Sequence, residues 1–243
     1  MIIDELLEDS RERLHGRIAT DVRIGLGYTA VTLDDGGCGL AGTVTEGADW
    51  SCSLLEDAGD LIGRSAENLA TGALSSHPVR ASVGVATINA AINPRDDPHP
   101  GPGPLKVLPV DGARVALVGL FRPIVAELGR RAAELHIFER KPQSQGILPD
   151  WAAERILPDC DVAIITSLTL VNKTLDHLLD LARCEVALLG PTTPLSPIFA
   201  AHGISHLFGR VVLDTDRVLQ LVSQAGGTQT FGSAAPKTYL KLA

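Results

Sequence analysis

The feature that most limits the fold is a series of short apolar runs that alternate with helical patterns. Five such runs, ARVALVG, ELHIFER, DVAIITS, EVALLG and HLFGRVVLD, follow one another from residue 113 onward. This alternation predicts parallel strands joined by right-handed helical crossovers. Aromatic residues make up only 4% of the chain, so Val, Ile, Leu and Ala must build the core. We expect a Rossmann-like, open, mostly parallel α/β sheet with helices on both faces.

The region before these runs predicts a smaller α+β domain. Apolar residues from positions 3 to 18 have helical spacing, and two β-like runs (22–33 and 38–45) flank the turn at 34–37. A helix is predicted around RSAENLATGAL. The segment VRASVGVATINAAI predicts a second helix that is apolar on nearly every side. Such a helix must be buried all round, which favours a second domain packed against it.

A proline-rich segment separates the two regions. The stretch NPRDDPHPGPGPLKVLP contains six prolines between residues 93 and 109. Proline fixes φ and lacks an N–H donor, so we expect a stiff, extended connector without helix or central strand. The predicted organisation is a first domain at 1–95, a connector at 96–112 and a Rossmann-like domain at 113–243.

Composition and motifs argue against several classes of function. The net charge of −8 disfavours nucleic acid as a partner. Neither a signal peptide nor a membrane-spanning apolar run is present, so we expect a cytoplasmic protein without a membrane partner. The four cysteines form no CxxC pair and are expected to be reduced, and the seven histidines are scattered. No P-loop, GxSxG or HExxH motif occurs, so any metal site must be assembled from distant segments.

The predicted ligand site lies at the carboxyl ends of the strands, where open α/β sheets bind ligands. Gly119 and Phe121 follow the first run, although the GxGxxG fingerprint is missing. Glu139 ends the second run, where nucleotide-binding folds place an acid that binds ribose hydroxyls. The alternatives are a simple turn at Gly119 and a solvated charge cluster of Glu139, Arg140 and Lys141.

Two further loops carry hydroxyl and amide groups. After the third run these belong to Thr166, Ser167 and Asn172. They suit either helix capping or a polar ligand held at a helix N-terminus. After the fourth run the loop GPTTPLSP contains Gly190, Thr192, Thr193 and Ser196. Its three prolines stiffen it, so it is either a structural turn or a preformed binding loop.

The first domain offers three candidates for the same cleft. Asn89 lies in the apolar helix, where a buried amide must be hydrogen-bonded either internally or toward the cleft. Tyr28 and Thr29 interrupt an otherwise apolar strand and are candidates for the same reason.

Eight separated blocks resemble a bacterial and archaeal family named for "putative heavy-metal chelation". They are IGLGYTAV, LIGRSAENLA, VGVATINA, VALVGLFRP, FERKP, LPDWAAERILPDCDVAIIT, LVNKTLDHLL and GPTTPLSP. The resemblance implies an enolase-N-terminal-like domain followed by a Rossmann-like domain, with an interdomain cleft between them. It also implies chelation of a heavy metal, without implying enolase chemistry, since the chain has no room for a catalytic barrel. Ser167 departs from the glycine expected in many relatives.

Three functions remain open at this point. The first is a protein that binds a heavy or transition metal ion, or a small-molecule metal chelate, in the interdomain cleft. The second is an enzyme that binds a nucleotide or S-adenosylmethionine in the Rossmann-like domain. The third is a homo-oligomeric scaffold, because no nucleophile or acid–base constellation is evident. The sequence assigns no catalytic residue and no metal ligand, and leaves open whether there is turnover.

Overall fold

The computed structural model describes residues 1–48, 53–93, 101–142 and 144–242. A three-stranded sheet lies in the N-terminal part, residues 1–93, and a seven-stranded sheet lies in the C-terminal part, residues 101–242. Cys52 and the first five residues of the predicted connector, 96–100, lie outside the described residues. Within the described residues, no helix is both long and apolar enough to cross a bilayer.

The N-terminal part combines helices with an antiparallel sheet. Its elements are α1 (Ile2–Leu14), β1 (Ala19–Ile24), β2 (Tyr28–Leu33), β3 (Cys38–Gly42), α2 (Ala66–Thr71) and α3 (Pro78–Ile92). The predicted hairpin at 34–37 joins β2 to β3. The run at 22–33, predicted as one strand, is divided between the strands β1 and β2. A turn at Gly25 separates them and is closed by a 2.9 Å hydrogen bond from the Gly25 N–H to the Tyr28 carbonyl. Helix α1 stops at Leu14 because Gly16 has a φ of 71°.

The C-terminal part contains all five predicted strands and two more. Its elements are β4 (Arg114–Val118), α4 (Arg122–Arg131), β5 (Glu134–Glu139), β6 (Ile147–Pro149), α5 (Ala153–Ile156), β7 (Val162–Thr166), α6 (Leu168–Val171), α7 (Leu175–Leu181), β8 (Glu185–Leu189), β9 (Ile204–Arg210), α8 (Thr215–Ser223) and β10 (Lys237–Lys241). The loop after β8 leads into a 3-10 helix over Pro197–His202. Strand β6 has only three residues, and β10 is an antiparallel edge strand beside β9. Neither edge strand has an apolar run long enough to predict it.

The order of strands fixes where a ligand site can form. The large sheet runs β10-β9-β8-β7-β4-β5-β6, so the first strand, β4, has β5 on one side and β7 on the other. The chain therefore passes from β4 to β5 on one side and returns from β6 to β7 on the other, so the carboxyl ends of β4 and β7 flank a topological switch point. Gly119 follows β4 and Thr166 ends β7, which puts both candidates at this point.

The end of the proline-rich segment is not the extended connector that its composition predicts. Pro104–Lys106 forms a turn of 3-10 helix. Leu105, Leu108 and Val110 are buried in the same core cluster as strand β4. Proline is tolerated in the first turn of a helix, and these three apolar side chains gain more by packing on the sheet than by remaining in an exposed linker.

Helix α3 is the centre of the N-terminal part and is buried along almost its whole length. Its backbone approaches β3 so closely that a Cβ at Gly39 would lie 2.1 Å from the Ala86 carbonyl oxygen. On another side, a Cβ at Gly84 would lie 1.9 Å from the backbone nitrogen of Ala73. One core cluster includes residues of α1 and α3 together with residues of β7, α7 and β9, so the two parts share a core.

Helix α1 also joins the two parts through polar contacts. The Ile2 N–H donates to Asp176 Oδ1 at 2.9 Å. Glu5 Oε2 lies 2.8 Å from His202 Nε2, and Ser196 Oγ donates to Asp9 Oδ2 at 2.7 Å. These contacts lie along one side of the helix, whose other residues Ile3, Leu6 and Leu14 are in the shared core.

We predict that Gly84→Ala lowers the free energy of unfolding by about 3 kcal/mol, because the new methyl group meets backbone that cannot move aside cheaply. Gly129→Ala is the matched control, since Gly129 lies in α4 and a Cβ added to it would have no heavy atom within 4 Å. The control should gain about 0.5–1 kcal/mol through better helix propensity. Urea unfolding measures both, and equal stability of the two variants would contradict the close packing of α3.

Candidate functional site

Gly119 and Thr166 come into contact at the switch point between β4 and β7. Gly119 has a φ of 95°, and a Cβ built on it would lie 2.9 Å from Thr166 Cβ. Its N–H donates to the Phe138 carbonyl at 2.9 Å, which fixes the turn against the end of β5. Only glycine combines this backbone conformation with so close an approach. The packing of this turn against the end of β7 therefore requires glycine at position 119.

Glu139 and Phe121 border the same turn. Glu139 Oε1 accepts a 2.5 Å hydrogen bond from the Leu120 N–H, so its carboxylate ties the end of β5 to the loop before α4. Phe121 is the residue before α4, and its ring packs partly buried against the core cluster on that face of the sheet. Gly119, Phe121, Glu139 and Thr166 are thus neighbours, and all four are partly exposed. We call these four residues the switch-point cluster.

The N-terminal part reaches the strand ends through the segment after β3. A Cβ on Gly42 would lie 2.4 Å from Leu168 Cδ2, so the end of β3 touches α6. Farther along, Glu46 lies 3.0 Å from Lys141 Nζ and 3.5 Å from Arg140 Nη1. The hydrogen bond from Lys141 lowers the pKa of Glu46, with burial opposing the shift. Two basic side chains of the C-terminal part and one acidic side chain of the N-terminal part therefore meet just beyond Glu139.

Ser167 and Asn172 make local contacts. Ser167 is buried, and its N–H donates to the Leu189 carbonyl at 3.1 Å. Asn172 Oδ1 accepts from Thr174 Oγ1 at 2.7 Å and from the Thr174 N–H at 3.2 Å. Asn172 thus forms a local turn before α7, and the N-cap residue of that helix, Thr174, makes no side-chain capping hydrogen bond.

The loop after β8 is used mainly to join the two parts. Thr192 Oγ1 accepts from the Gly42 N–H at 2.9 Å, and Thr193 Oγ1 donates to the Phe208 carbonyl at 3.1 Å. Ser196 is bonded to α1 as described above, and all three hydroxyl residues are buried. Gly190 lies beside Ser167, since a Cβ built on it would come within 2.9 Å of Ser167 Oγ. Most polar groups of this stiff loop are therefore already satisfied by the protein itself.

Two asparagines on α3 hold this loop in place. Asn89 Nδ2 donates to the carbonyls of Leu40 at 2.8 Å and Thr192 at 3.0 Å. Within the described residues its buried Oδ1 has no hydrogen-bond partner. Asn93 Oδ1 accepts from the Leu195 N–H at 2.9 Å, and its Nδ2 donates to the carbonyls of Thr193 and Arg210. Asn93 was not predicted, although its spacing of four residues from Asn89 could have placed both on one face.

Tyr28 and Thr29 do not join the switch-point cluster. Tyr28 packs edge-on against Phe231 at a centroid distance of 5.3 Å, and Arg210 lies 5.7 Å from the same ring. Burial raises the pKa of the Tyr28 phenol, and Arg210 opposes this shift. Thr29 Oγ1 lies 2.9 Å from Thr43 Oγ1 within the small sheet. The Tyr28 partners are distant in sequence, which local pattern could not reveal, whereas Thr29 contacts a residue just beyond the neighbouring strand of the predicted hairpin.

Lys173, like Asn93, was not predicted from the sequence as a residue that joins the two parts. It has a φ of 65°, unusual for a residue with a side chain. Its ammonium group donates to the Ala73 carbonyl of the N-terminal part and to the carbonyls of Leu170 and Val171. Burial lowers the pKa of Lys173. The side chain therefore links the two parts through backbone acceptors.

The described side chains do not form a ligand set for a bare heavy-metal ion. No group of three or more His, Cys, Asp and Glu side chains in the described ranges is placed to hold a metal. Burial raises the pKa of Cys160, and burial raises that of Cys184 to about 11. Thiols that remain protonated are poor ligands, since soft metals bind the thiolate. The switch-point cluster offers one carboxylate and one hydroxyl, which is also too few.

The fold and the site together define a two-part α/β protein, in which a helix-backed antiparallel sheet adjoins the switch point of a Rossmann-like sheet. The chain belongs to the DUF364 family. The model of that family, described as "Putative heavy-metal chelation", matches residues 104–241. A second model, DUF4213, carries the same description and matches residues 7–92. The family resemblance predicted from the sequence blocks is confirmed.

Solved structures confirm the predicted fold class. A DUF364 family protein of unknown function from Desulfitobacterium hafniense aligns with a TM-score of 0.82 and 28% identity, over 98% of this chain and 99% of that one. A DUF364 family protein of unknown function from Pyrococcus horikoshii aligns over 100% of both chains with a TM-score of 0.83. Its identity is 24%, so this likeness shows the fold alone.

A curated relative is also similar in sequence. An uncharacterized protein of Methanocaldococcus jannaschii is 33% identical over 133 residues, which make up 52% of this chain and 51% of that protein. The chain therefore spans about half the length of this relative.

We predict that Asn93→Ala lowers the free energy of unfolding by about 2–3 kcal/mol, because the Leu195 N–H loses its acceptor and the Thr193 and Arg210 carbonyls lose a buried donor. Asn68→Ala is the control, since Asn68 is exposed on α2, and its effect should stay within about 0.5 kcal/mol. Chemical denaturation provides the comparison. If the Asn93 variant were as stable as the Asn68 variant, the loop would not depend on the α3 asparagines.

Proposed function

We propose that this protein binds a small-molecule metal chelate at the switch-point cluster, in a crevice between its N-terminal and C-terminal parts. The single observation that supports the proposal most is the contact of Gly119 with Thr166 at the point where strand order reverses. Ligands of open α/β sheets bind at this position, and the glycine allows close approach of backbone.

The groups around the crevice favour a polar ligand that carries its own metal. Arg140 and Lys141 of the C-terminal part meet Glu46 of the N-terminal part, so both signs of charge are available at the rim. Chelators of heavy metals present carboxylates and hydroxyls at their surface. Basic side chains, the Thr166 hydroxyl and backbone N–H groups suit such a surface.

A bare metal ion is a weaker fit because it needs several protein ligands. The described residues supply no such group, and burial raises the pKa of the Cys160 and Cys184 thiols, which disfavours the thiolate that a soft metal binds. A chelate satisfies the metal's coordination with its own donor atoms, so the protein needs only to recognise the complex. This form of the proposal agrees with the family description and with the side chains that are present. We also propose that the proline-rich segment at 96–112 divides the chain into the two units that form the crevice.

We predict that isothermal titration with nickel citrate and ferric citrate gives saturable binding at or below about 100 µM. Nickel chloride alone and citrate alone should bind at least ten times more weakly, because each lacks part of the recognised complex. Gly119→Ala should abolish chelate binding, since its methyl group crowds Thr166.

Gly112→Ala is the matched control for this experiment. Gly112 also has a positive φ, 69°, but no heavy atom lies within 4 Å of its Cβ position. The control therefore carries the same kind of backbone strain without altering the crevice, and it should bind as the unaltered protein does. The proposal is overturned if no chelate binds below about 1 mM, or if Gly119→Ala binds as tightly as Gly112→Ala.

One observation favours a second function, the binding of a nucleotide or S-adenosylmethionine. Glu139 ends β5 beside the glycine turn after β4, where Rossmann-like enzymes place the acid that binds ribose hydroxyls. The Leu120 N–H donates to Oε1 of Glu139, so Oε2 takes no part in that hydrogen bond. This geometry gives the alternative a test of its own.

For this alternative, we predict that S-adenosylmethionine or an adenine nucleotide raises the melting temperature, since a ligand that binds only the folded state stabilises it. Glu139→Gln should remove that increase. Unchanged melting with each of these ligands at about 1 mM would argue against this alternative and leave the chelate proposal unaffected.

A further inference from the structure

A separate cavity lies wholly within the N-terminal part, between the segment after residue 53, α2 and the start of α3. Its volume is about 410 Å³, within the range of small-molecule sites. Four buried apolar side chains contribute to its wall, namely Leu55, Leu61, Leu69 and Val83. None of the residues that line it belongs to the switch-point cluster.

Two arginines also line this cavity, and they share one carboxylate. Both terminal nitrogens of Arg80 donate hydrogen bonds to Asp57, at 3.0 Å to Oδ2 and 2.9 Å to Oδ1. Arg64 Nη1 lies 2.6 Å from Oδ2, an oxygen that Arg80 already uses. The hydrogen bond from Arg80 lowers the pKa of Asp57, so this carboxyl is ionised at neutral pH. Two positive charges therefore face one negative charge beside the cavity.

The other nearby acidic side chains do not neutralise the second arginine charge. Glu56 acts on Arg80 through its charge, and Asp60 accepts from Arg64 through its backbone carbonyl. Both acidic side chains are exposed, so solvent screens them. Among the described residues, one guanidinium charge beside the cavity thus has no carboxylate of its own.

We propose that this cavity binds a small organic carboxylate, with the acid group on Arg64 and Arg80 and the apolar body against the leucine-lined wall. A single surplus charge fits a monoanion, and guanidinium groups pair with carboxylates through directed hydrogen bonds. The apolar wall supplies the area that an inorganic anion could not use. This site is independent of the proposed chelate crevice, because the two share no residue.

The alternative is that the two arginines only hold the segment after residue 53 against α3. The bidentate pair of Arg80 with Asp57 already does this, so Arg64 can be replaced while that pair remains. This separation allows ligand binding and folding to be measured in the same variant. Thr71 provides a second test, because it is exposed and lines the cavity.

The experiment is isothermal titration of the full chain with sodium octanoate, 1-octanol and inorganic phosphate. Octanoate should bind saturably, at least ten times more tightly than octanol, which has the same apolar body without the charge, and than phosphate, which has charge without the apolar body. If octanol binds as tightly as octanoate, the cavity recognises only the apolar body. If phosphate binds as tightly as octanoate, the cavity is a general anion site. Either result, or the absence of octanoate binding, overturns the proposal.

Two variants locate the site. Arg64→Gln should weaken octanoate binding at least tenfold, whereas Arg11→Gln, which removes an exposed arginine paired with Glu8, should leave it unchanged. Thr71→Trp should block the cavity while its urea unfolding matches that of the unaltered protein. If Arg64→Gln fails to fold, the tryptophan variant decides alone. Octanoate binding that survives Thr71→Trp would overturn the assignment, whatever happens to the chelate crevice.

Discussion

The close approach of α3 to the backbone around it is the constraint on which the rest of the structure depends. Glycines at positions 39 and 84 let the helix touch β3 on one side and the Gly72–Ala73 turn on another. At this distance Asn89 and Asn93 reach across to the loop after β8 and bind its carbonyls. Larger residues at the glycines would move the helix outward and separate the asparagines from that loop. The arrangement of the two parts therefore depends on the absence of a side chain at Gly39 and at Gly84.

This constraint also decides which polar groups remain for a ligand. Thr192, Thr193 and Ser196 look from the sequence like a preformed binding loop, yet each is buried and bonded to another part of the protein. What remains accessible is the switch-point cluster with the charged residues at its rim. A site with so few donor atoms suits recognition of a complete small molecule better than coordination of an ion. The proposed function follows from this division of the polar groups.

Sequence pattern predicted the elements that depend on local order and failed where partners are distant. The five apolar runs became β4, β5, β7, β8 and β9 because buried parallel strands need continuous apolar sequence. The edge strands β6 and β10 were missed because an edge strand is stabilised by one neighbour and needs no such run. The position of Gly119 beside Thr166 could be derived from strand order alone. The separation of Tyr28 from that cluster could not, because it depends on Phe231 near the other end of the chain.

The polar contacts of α1 have a consequence for how the chain reaches its native state. Their partners lie 174, 187 and 197 residues away in sequence. During synthesis α1 is made before the elements that it contacts, and its apolar side can pack on α3 as soon as that helix has formed. Its polar side must wait for Asp176, Ser196 and His202, which are made much later. Contacts of such long range close slowly. Helix α1 is therefore completed late, although it is made before its partners, and it joins residues 2–9 to the finished sheet.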